Sequence, residues 1–306
     1  MWSTTLSGQP LQAVLHTPEP GAPDAVVIVI HGMAEYSGRY EAVKDRLLSL
    51  GVGVVLFDLP GHGLQAAETK RLGHFADTGG DYKVLADIRT IIRTIAGNFP
   101  TSKILLLGHS MGSFLARLIM ASDPAGIAAC VLSGTTGKNG MSKAGRVLAN
   151  GLSRLYGPRH VSLFMNRLLQ SGYGKLRAGN QWLSRDAETV RRYNADQLCG
   201  FPLTVSAISD LLSWMIRMNR ADTIGKMNRQ AAYLIMSGSD DPLYGPGVTR
   251  FAADLKRRGM NVQTIVYEDA RHEIFNESNR EHALDDLTAF VRQVTSGTSG
   301  GQDDNN

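Results

Sequence analysis

Six short runs of apolar and β-branched residues recur along the chain: Ala25–Ile30, Val52–Phe57, Ile104–Leu107, Ile127–Leu132, Ala232–Met236 and Val262–Tyr267. A strand with one wet face alternates polar and apolar residues. An almost continuous run fits a strand covered on both faces, as in a parallel sheet between helical layers. Amphipathic stretches at Tyr40–Leu50, Tyr82–Ala96, Met111–Ala121 and Val248–Arg258 lie between several of these runs, and Asn279–Val294 reads as a last helix. This rhythm predicts an α/β fold with a mostly parallel central sheet. Two alternating segments, Trp2–Leu6 and Leu11–His16, flank Ser7-Gly8-Gln9-Pro10 and predict an opening hairpin.

The rhythm breaks after Ser133 and resumes only at Ala232. Between them Val161, Phe164, Met165, Leu168 and Leu169 are spaced to form one apolar helical face. The chain thus divides into a core of residues 1–134 and 230–294, and an inserted helical cap of residues 135–229. Open α/β sheets place their sites above the C-terminal strand ends, where such an insertion would sit. Residues 295–306, built from Thr, Ser, Gly, Gln, Asp and Asn, bury no apolar face and are expected to be disordered.

Composition narrows the functional classes. No apolar run approaches the roughly 18 residues of a membrane-spanning helix, and the first residues, MWSTTLSGQP, lack the basic and apolar regions of a secretory signal. Cys130 and Cys199 sit in no close-spaced motif, so a reducing, cytoplasmic setting is expected. The net charge of +4 is concentrated: residues 141–200 hold ten basic and three acidic groups. Without dense basic clusters or a recognisable motif, this excess does not predict a nucleic-acid binder. It fits a solvated face, or transient contact of the cap with an anionic membrane surface.

Gly108-His109-Ser110-Met111-Gly112 stands directly between a buried run and a helical stretch. This context predicts a sharp strand-to-helix turn that projects the Ser110 hydroxyl as a nucleophile. A serine hydroxyl needs a base within hydrogen-bond reach, and the base needs an orienting acceptor. His272, in the short loop after Val262–Tyr267, is the candidate base among eight histidines. His109 adjoins the nucleophile on the wrong side of the turn, while His31 and His62 are expected to make structural hydrogen bonds. The orienting acid falls after Ala232–Met236, where Asp240 and Asp241 both qualify. Asp241 precedes Pro242, which restricts the turn; Asp240 suits a turn cap.

These segments, together with His31-Gly-Met-Ala-Glu-Tyr-Ser-Gly-Arg-Tyr40, Phe57-Asp-Leu-Pro-Gly-His-Gly63, Gly238-Ser-Asp-Asp-Pro-Leu243 and Arg271-His-Glu273, resemble the monoacylglycerol lipase and lysophospholipase branch of the α/β-hydrolases. The resemblance implies an α/β-hydrolase fold, selects Asp241 as the acid, and implies oxyanion donors at the backbone N–H groups of Met33 and Met111. Three positions depart from the family pattern: Ala34 stands where glycine is frequent, Tyr36 where some relatives have histidine, and Gln65 where serine is common.

The expected reaction is hydrolysis of a small-molecule acyl ester, a monoacylglycerol or lysophospholipid, through an acyl-serine. His272 takes the Ser110 proton and Asp241 holds the imidazole. The sequence carries no HExxH segment, Walker loop or Rossmann fingerprint, so neither a metal nor a cofactor is expected. Phe164, Met165, Leu168, Leu169 and Trp214 are candidate cap residues lining the acyl site; internal packing of the cap accounts for the same residues. Two other classes stay open: a peptidase or other acyl-transfer enzyme, with Asp186 or Glu188 as carboxylates for a substrate amine, and a catalytically silent binding protein.

Overall fold

The computed structural model describes residues 2–6, 11–19, 21–122, 126–138 and 140–297. Its strands are β1 (Trp2–Leu6), β2 (Ala13–Thr17), β3 (Ala25–Ile30), β4 (Gly53–Phe57), β5 (Lys103–His109), β6 (Ile127–Ser133), β7 (Ala232–Gly238) and β8 (Asn261–Tyr267). They form one sheet in the order β1-β2-β4-β3-β5-β6-β7-β8. β1, β2 and β4 pair antiparallel, and every pairing from β4 onward is parallel. The opening hairpin is present in its strands, although the turn assigned to residues 7–10 lies outside the described residues. Its second strand begins at Ala13 rather than Leu11.

β3 explains why continuous apolar runs mark this sheet. Successive side chains alternate between faces, so Val26, Ile28 and Ile30 enter one apolar cluster while Ala25, Val27 and Val29 enter another. One face is covered by α3 (Gly80–Asn98), α4 (Met111–Ser122) and α10 (Pro246–Arg257). The other is covered by α1 (Glu41–Leu48) and α11 (Arg280–Ser296). Sequence periodicity overran α1 at both ends, because a 3-10 turn occupies Ser37–Tyr40 and a Gly51 turn follows. It also passed over α2 (Gly63–Glu68), which is too short to carry a periodic signal.

Between β6 and β7 lie α5 (Ser142–Tyr156), α6 (Leu163–Leu169), a 3-10 segment (Ser171–Asn180), α7 (Ala187–Ala195), α8 (Val205–Met218) and α9 (Ala221–Gly225). This insertion is rooted in the core. Leu211, Leu212 and Trp214 of α8 share one apolar cluster with β3, α3 and α4. Trp214 is fully buried, stacks on Phe75 at 5.4 Å, and donates its indole N–H to the Asp81 carbonyl at 2.9 Å. Arg117 of α4 supplies a second root. Its guanidinium, stacked 3.7 Å from the Phe251 ring, donates to the Thr136 carbonyl at 2.9 Å and the Met218 carbonyl at 3.1 Å. Burial pushes its pKa down to about 9, which still leaves the guanidinium charged at neutral pH, and the carbonyl end of α8 favours that charge.

Where α8 crosses the start of α3, two carboxyl groups are buried side by side. Asp81 accepts the Ser213 hydroxyl at 2.6 Å and faces Arg217 at 3.5 Å. Asp210 has no hydrogen-bond partner for Oδ2 among the described residues. Burial, then the Asp81 charge, raises Asp210 to about 7. An unfolded chain releases this proton near 3.8 whereas the folded chain holds it to about 7; stability therefore declines through that interval as pH rises. Asp210→Asn should raise Tm at pH 8 by a few degrees, for about 1–2 kcal/mol, with little effect at pH 4. Calorimetry at the two pH values checks this; equal shifts at both would show that the charge is not the cause.

Candidate active site

Ser110 sits at the β5–α4 junction with φ of 51°, a left-handed backbone that is uncommon for a residue with a Cβ. Two glycines permit it. A Cβ on Gly112 would collide with the Ile30 carbonyl, and one on Gly108 with the Gly112 carbonyl. The Ser110 amide donates to the Ser133 carbonyl at 2.9 Å, and its own carbonyl accepts from the amide and hydroxyl of Ser113. Met111 follows as the first residue of α4, where backbone N–H groups have no intrahelical acceptor. Met33, just beyond β3, lines the same cavity as Ser110 and Met111.

His272 and Asp241 come from the loops after β8 and β7. The imidazole Nδ1 donates to Asp241 Oδ2 at 2.9 Å, while Oδ1 accepts the Leu243 amide at 2.8 Å. Asp241 is buried and Asp240 exposed, so of the two only Asp241 meets the imidazole. Burial opposes charge on His272, yet the Asp241 charge and hydrogen bond, followed by Glu273 and Glu35, raise it above its ordinary value. Its Nε2 is buried without a hydrogen-bond partner among the described residues, so this nitrogen is free to accept a proton. Contacts of this kind commonly tighten only when substrate is bound.

The other histidines serve the framework. His31 donates from Nδ1 to the Gly32 carbonyl at 2.8 Å and accepts the Leu59 amide on Nε2 at 2.9 Å. His62 donates to the Pro60 carbonyl at 3.0 Å and accepts the Ala34 amide at 3.3 Å. Burial, then the nearby His31, pushes His62 well below its usual value, which suits an imidazole needed as an acceptor. His109 contacts the Ser133 hydroxyl at 3.1 Å, and burial followed by the His272 charge pushes it down to about 3.

Ala34 has φ of 55°, a backbone glycine adopts freely and alanine at a cost of about 1–2 kcal/mol. The cost is offset by fixed partners. Its carbonyl accepts the Gly200 amide at 2.9 Å and the Tyr193 hydroxyl at 3.0 Å, both from the insertion. Glu35 next to it accepts the Gly32 amide at 2.5 Å, the Tyr40 hydroxyl at 2.8 Å and Arg39 at 2.8 Å. Arg39 then reaches Glu273 through both carboxylate oxygens, at 2.5 and 2.6 Å. Burial disfavours the Arg39 charge, but Glu273 and Glu35 more than restore it. This bidentate bridge ties the loop of Met33 to the loop of His272. Sequence reasoning passed over it, because its partners are 234 residues apart.

A cavity of about 520 Å³ opens at Ser110. Met165, Leu168 and Leu169 of α6 line it, with Leu211, Leu212 and Met215 of α8. Two expected lining residues lie elsewhere. Trp214 points into the core as described above, and Phe164 is 65% exposed. Successive helical residues differ by about 100°, so when Met165 turns inward, Phe164 turns away from the face it was assigned to.

Residues 21–279 match the family described as serine aminopeptidase, S33. The chain belongs to this family of α/β-hydrolases. This S33 α/β-hydrolase is 27% identical to the monoacylglycerol lipase of Mycolicibacterium smegmatis over 271 residues, covering 88% of each chain. It is 28% identical to human monoglyceride lipase, covering 84% of this chain and 78% of that one. A thermostable carboxyl esterase from Bacillus coagulans, solved in complex with glycerol, superposes with a TM-score of 0.86 at 24% identity, covering 96% of this chain and 98% of the other. Together these matches identify a serine-hydrolase-type enzyme acting on esters.

If Asp241 orients the base, Asp241→Asn should lower kcat by about 10³–10⁴-fold through the wrong imidazole tautomer, and Asp240→Asn by no more than about threefold. Ester kinetics on both variants, with Ser110→Ala as the unlabelled control in phosphonate mass labelling, decide the matter. A near-normal Asp241→Asn enzyme would reject the pairing.

Proposed function

We propose that this S33 α/β-hydrolase cleaves monoacyl esters, monoacylglycerols or lysophospholipids, with residues 135–229 acting as a cap over a core of 1–134 and 230–294. Ser110 attacks the carbonyl, His272 takes its proton, and Asp241 holds the imidazole and stabilises its protonated form. The backbone N–H groups of Met33 and Met111 receive the oxyanion, each contributing about 3–4 kcal/mol in the transition state. The His272 imidazolium gives its proton to the leaving oxygen, and the alcohol departs from an acyl-Ser110. Water deprotonated by the now neutral His272 hydrolyses that ester, the proton returning to Ser110 as the acid leaves.

The observation that carries this reading is the chemistry of the cavity wall. Its described lining contains no carboxylate, and its one charged side chain is Lys138. A volume of about 520 Å³ lies within the usual range for small-ligand sites, roughly 300–1,000 Å³. An aminopeptidase needs an anion for the substrate ammonium. Asp186 instead accepts the Glu188 and Thr189 amides at the start of α7, while Glu188 pairs with Arg191 on the exposed side of that helix. The names of the two monoacylglycerol-cleaving relatives agree with the ester reading.

Each methylene buried in such a cavity contributes up to about 0.8 kcal/mol, provided the chain stays bound during acyl transfer. Across monoacylglycerols held below their aggregation concentrations, kcat/KM should rise by up to about fourfold per methylene until the cavity is filled. A maximum at acetyl or propionyl would reject the acyl-channel reading.

The same cap is proposed to touch anionic lipid surfaces transiently. Met141, Val147, Leu155, Tyr156, Leu163 and Phe164 are each between 60% and 73% exposed, and Lys143, Arg154 and Arg167 are exposed beside them in sequence. No described helix is long and apolar enough to cross a membrane, so the contact would be peripheral. Sedimentation with phosphatidylserine-containing vesicles should retain the wild type, and Leu155→Glu with Phe164→Glu should weaken retention about tenfold. A wild type that stays in the supernatant would reject the contact.

A further inference from the structure

The insertion reaches the candidate base through aromatic rings. Trp182, between the 3-10 segment and α7, places its ring centroid 4.8 Å from that of His272, with 42° between the planes. Tyr173 stacks on the other ring of this pair, Trp182, at 4.1 Å and 24°. Tyr173 also lines the cavity at Ser110. A path of touching rings therefore runs from the substrate chamber to the imidazole.

Main-chain hydrogen bonds set the spacing. The His272 amide donates to the Trp182 carbonyl at 3.3 Å and the Glu273 amide to the Leu183 carbonyl at 2.8 Å. Arg271 donates to the Gln181 carbonyl at 2.7 Å and the Ser184 carbonyl at 3.1 Å. Residues 181–184 are thus stitched to the loop of the base. Trp182 is 8% exposed, and its indole N–H has no acceptor among the described residues. A buried indole usually finds an acceptor for its N–H; here the contacts shown for the side chain are those of its ring with Tyr173 and His272.

We propose that Trp182 is a positioning residue for His272, its indole face stabilising the imidazolium that forms as Ser110 loses its proton, and that Tyr173 fixes the indole in place. This rests on the reading of Ser110, His272 and Asp241 as acyl-transfer machinery. The electron-rich face of an indole attracts a cation within about 6 Å, most strongly where water is excluded. His272 is 1% exposed.

The charged and titratable groups facing the imidazole leave room for this contribution. Asp241 supplies the direct ion pair from the β7 loop. Glu273 and Glu35 add negative charge, but both are bridged by Arg39. His109, at the end of β5, lies 4.8 Å away ring to ring and is kept neutral by burial and by the His272 charge. The Tyr173 hydroxyl stays protonated, raised by burial and then by Asp241. Of the neutral rings that the insertion adds, Trp182 is the one shown in direct contact with the imidazole.

The test follows the pH dependence of Ser110 labelling by a fluorophosphonate in the full chain, which reports on the base whichever ester is the substrate. Trp182→Leu keeps the site dry but removes the ring. Its acid limb should move about one pH unit lower, and its rate above that limb should fall about tenfold. Trp182→Phe retains a π face and should stay within about threefold of wild type. Trp182→Met provides the same comparison if the Leu variant fails to fold, with Tm measured throughout. An unmoved acid limb in the folded non-aromatic variants, or equal impairment in the Phe variant at matched Tm, would overturn the proposal. A wild type that is never labelled would overturn the acyl-transfer reading and this proposal together. Normal labelling with the expected shifts, but no turnover of monoacylglycerols, would remove the substrate class and uphold the role of Trp182.

Discussion

Backbone packed directly on backbone is the constraint from which the site is built. Gly112 lies against the Ile30 carbonyl and Gly108 against Gly112, so α4 starts almost in contact with β3 and β5. That closeness forces Ser110 into its left-handed conformation and brings the start of α4 beside the loop that follows β3. Every later element is placed relative to this knot. β6 receives the Ser110 amide on the Ser133 carbonyl, and the Gly134 amide in turn donates to the Met236 carbonyl of β7. The loops after β7 and β8 then deliver Asp241 and His272.

Charge is distributed around the knot with an evident asymmetry. Three carboxylates, Glu35, Asp241 and Glu273, are buried around it; Arg39 pairs with Glu35 and Glu273, and Asp241 with His272. Buried charges persist when paired and hydrogen-bonded, and Arg39 satisfies two of the three. The remaining carboxylate, Asp241, is held by the His272 imidazole and the Leu243 amide, and a positive charge on the imidazole would complete an ion pair. The Asp241 charge and hydrogen bond favour the protonated form of this imidazole, and an interaction that strengthens as charge develops favours a transition state over a ground state.

Local and repetitive features were legible in the sequence. The sheet strands announced themselves because burial on both faces leaves few polar positions, and the elbow because its glycines and its strand-to-helix setting are contiguous. Trp214 and Phe164 were misplaced for a shared reason: helical periodicity names a face without naming what the face meets. Trp214 meets Phe75 and Asp81 of the core, and Phe164 meets solvent. The Arg39–Glu273 bridge and the Trp182–His272 contact were not legible, since neither partner carries a mark of the other. The positive φ of Ala34 left a trace only as a departure from the glycine common in related lipases.

The span of the Arg39–Glu273 bridge has a consequence for the making of the protein. A ribosome emits residues 31–40 more than two hundred residues before residue 273, and segments made earlier begin to fold first. Until β8 and its loop emerge, Glu35 and Arg39 lack the carboxylate that completes their network, and Ser110 lacks its proposed base. On that assignment, a nascent chain that has already formed its elbow has no imidazole to accept the Ser110 proton. On the proposed assignment, competence arrives in one step when these two distant segments meet, so a product interrupted before residue 273 carries the elbow without its partner loop.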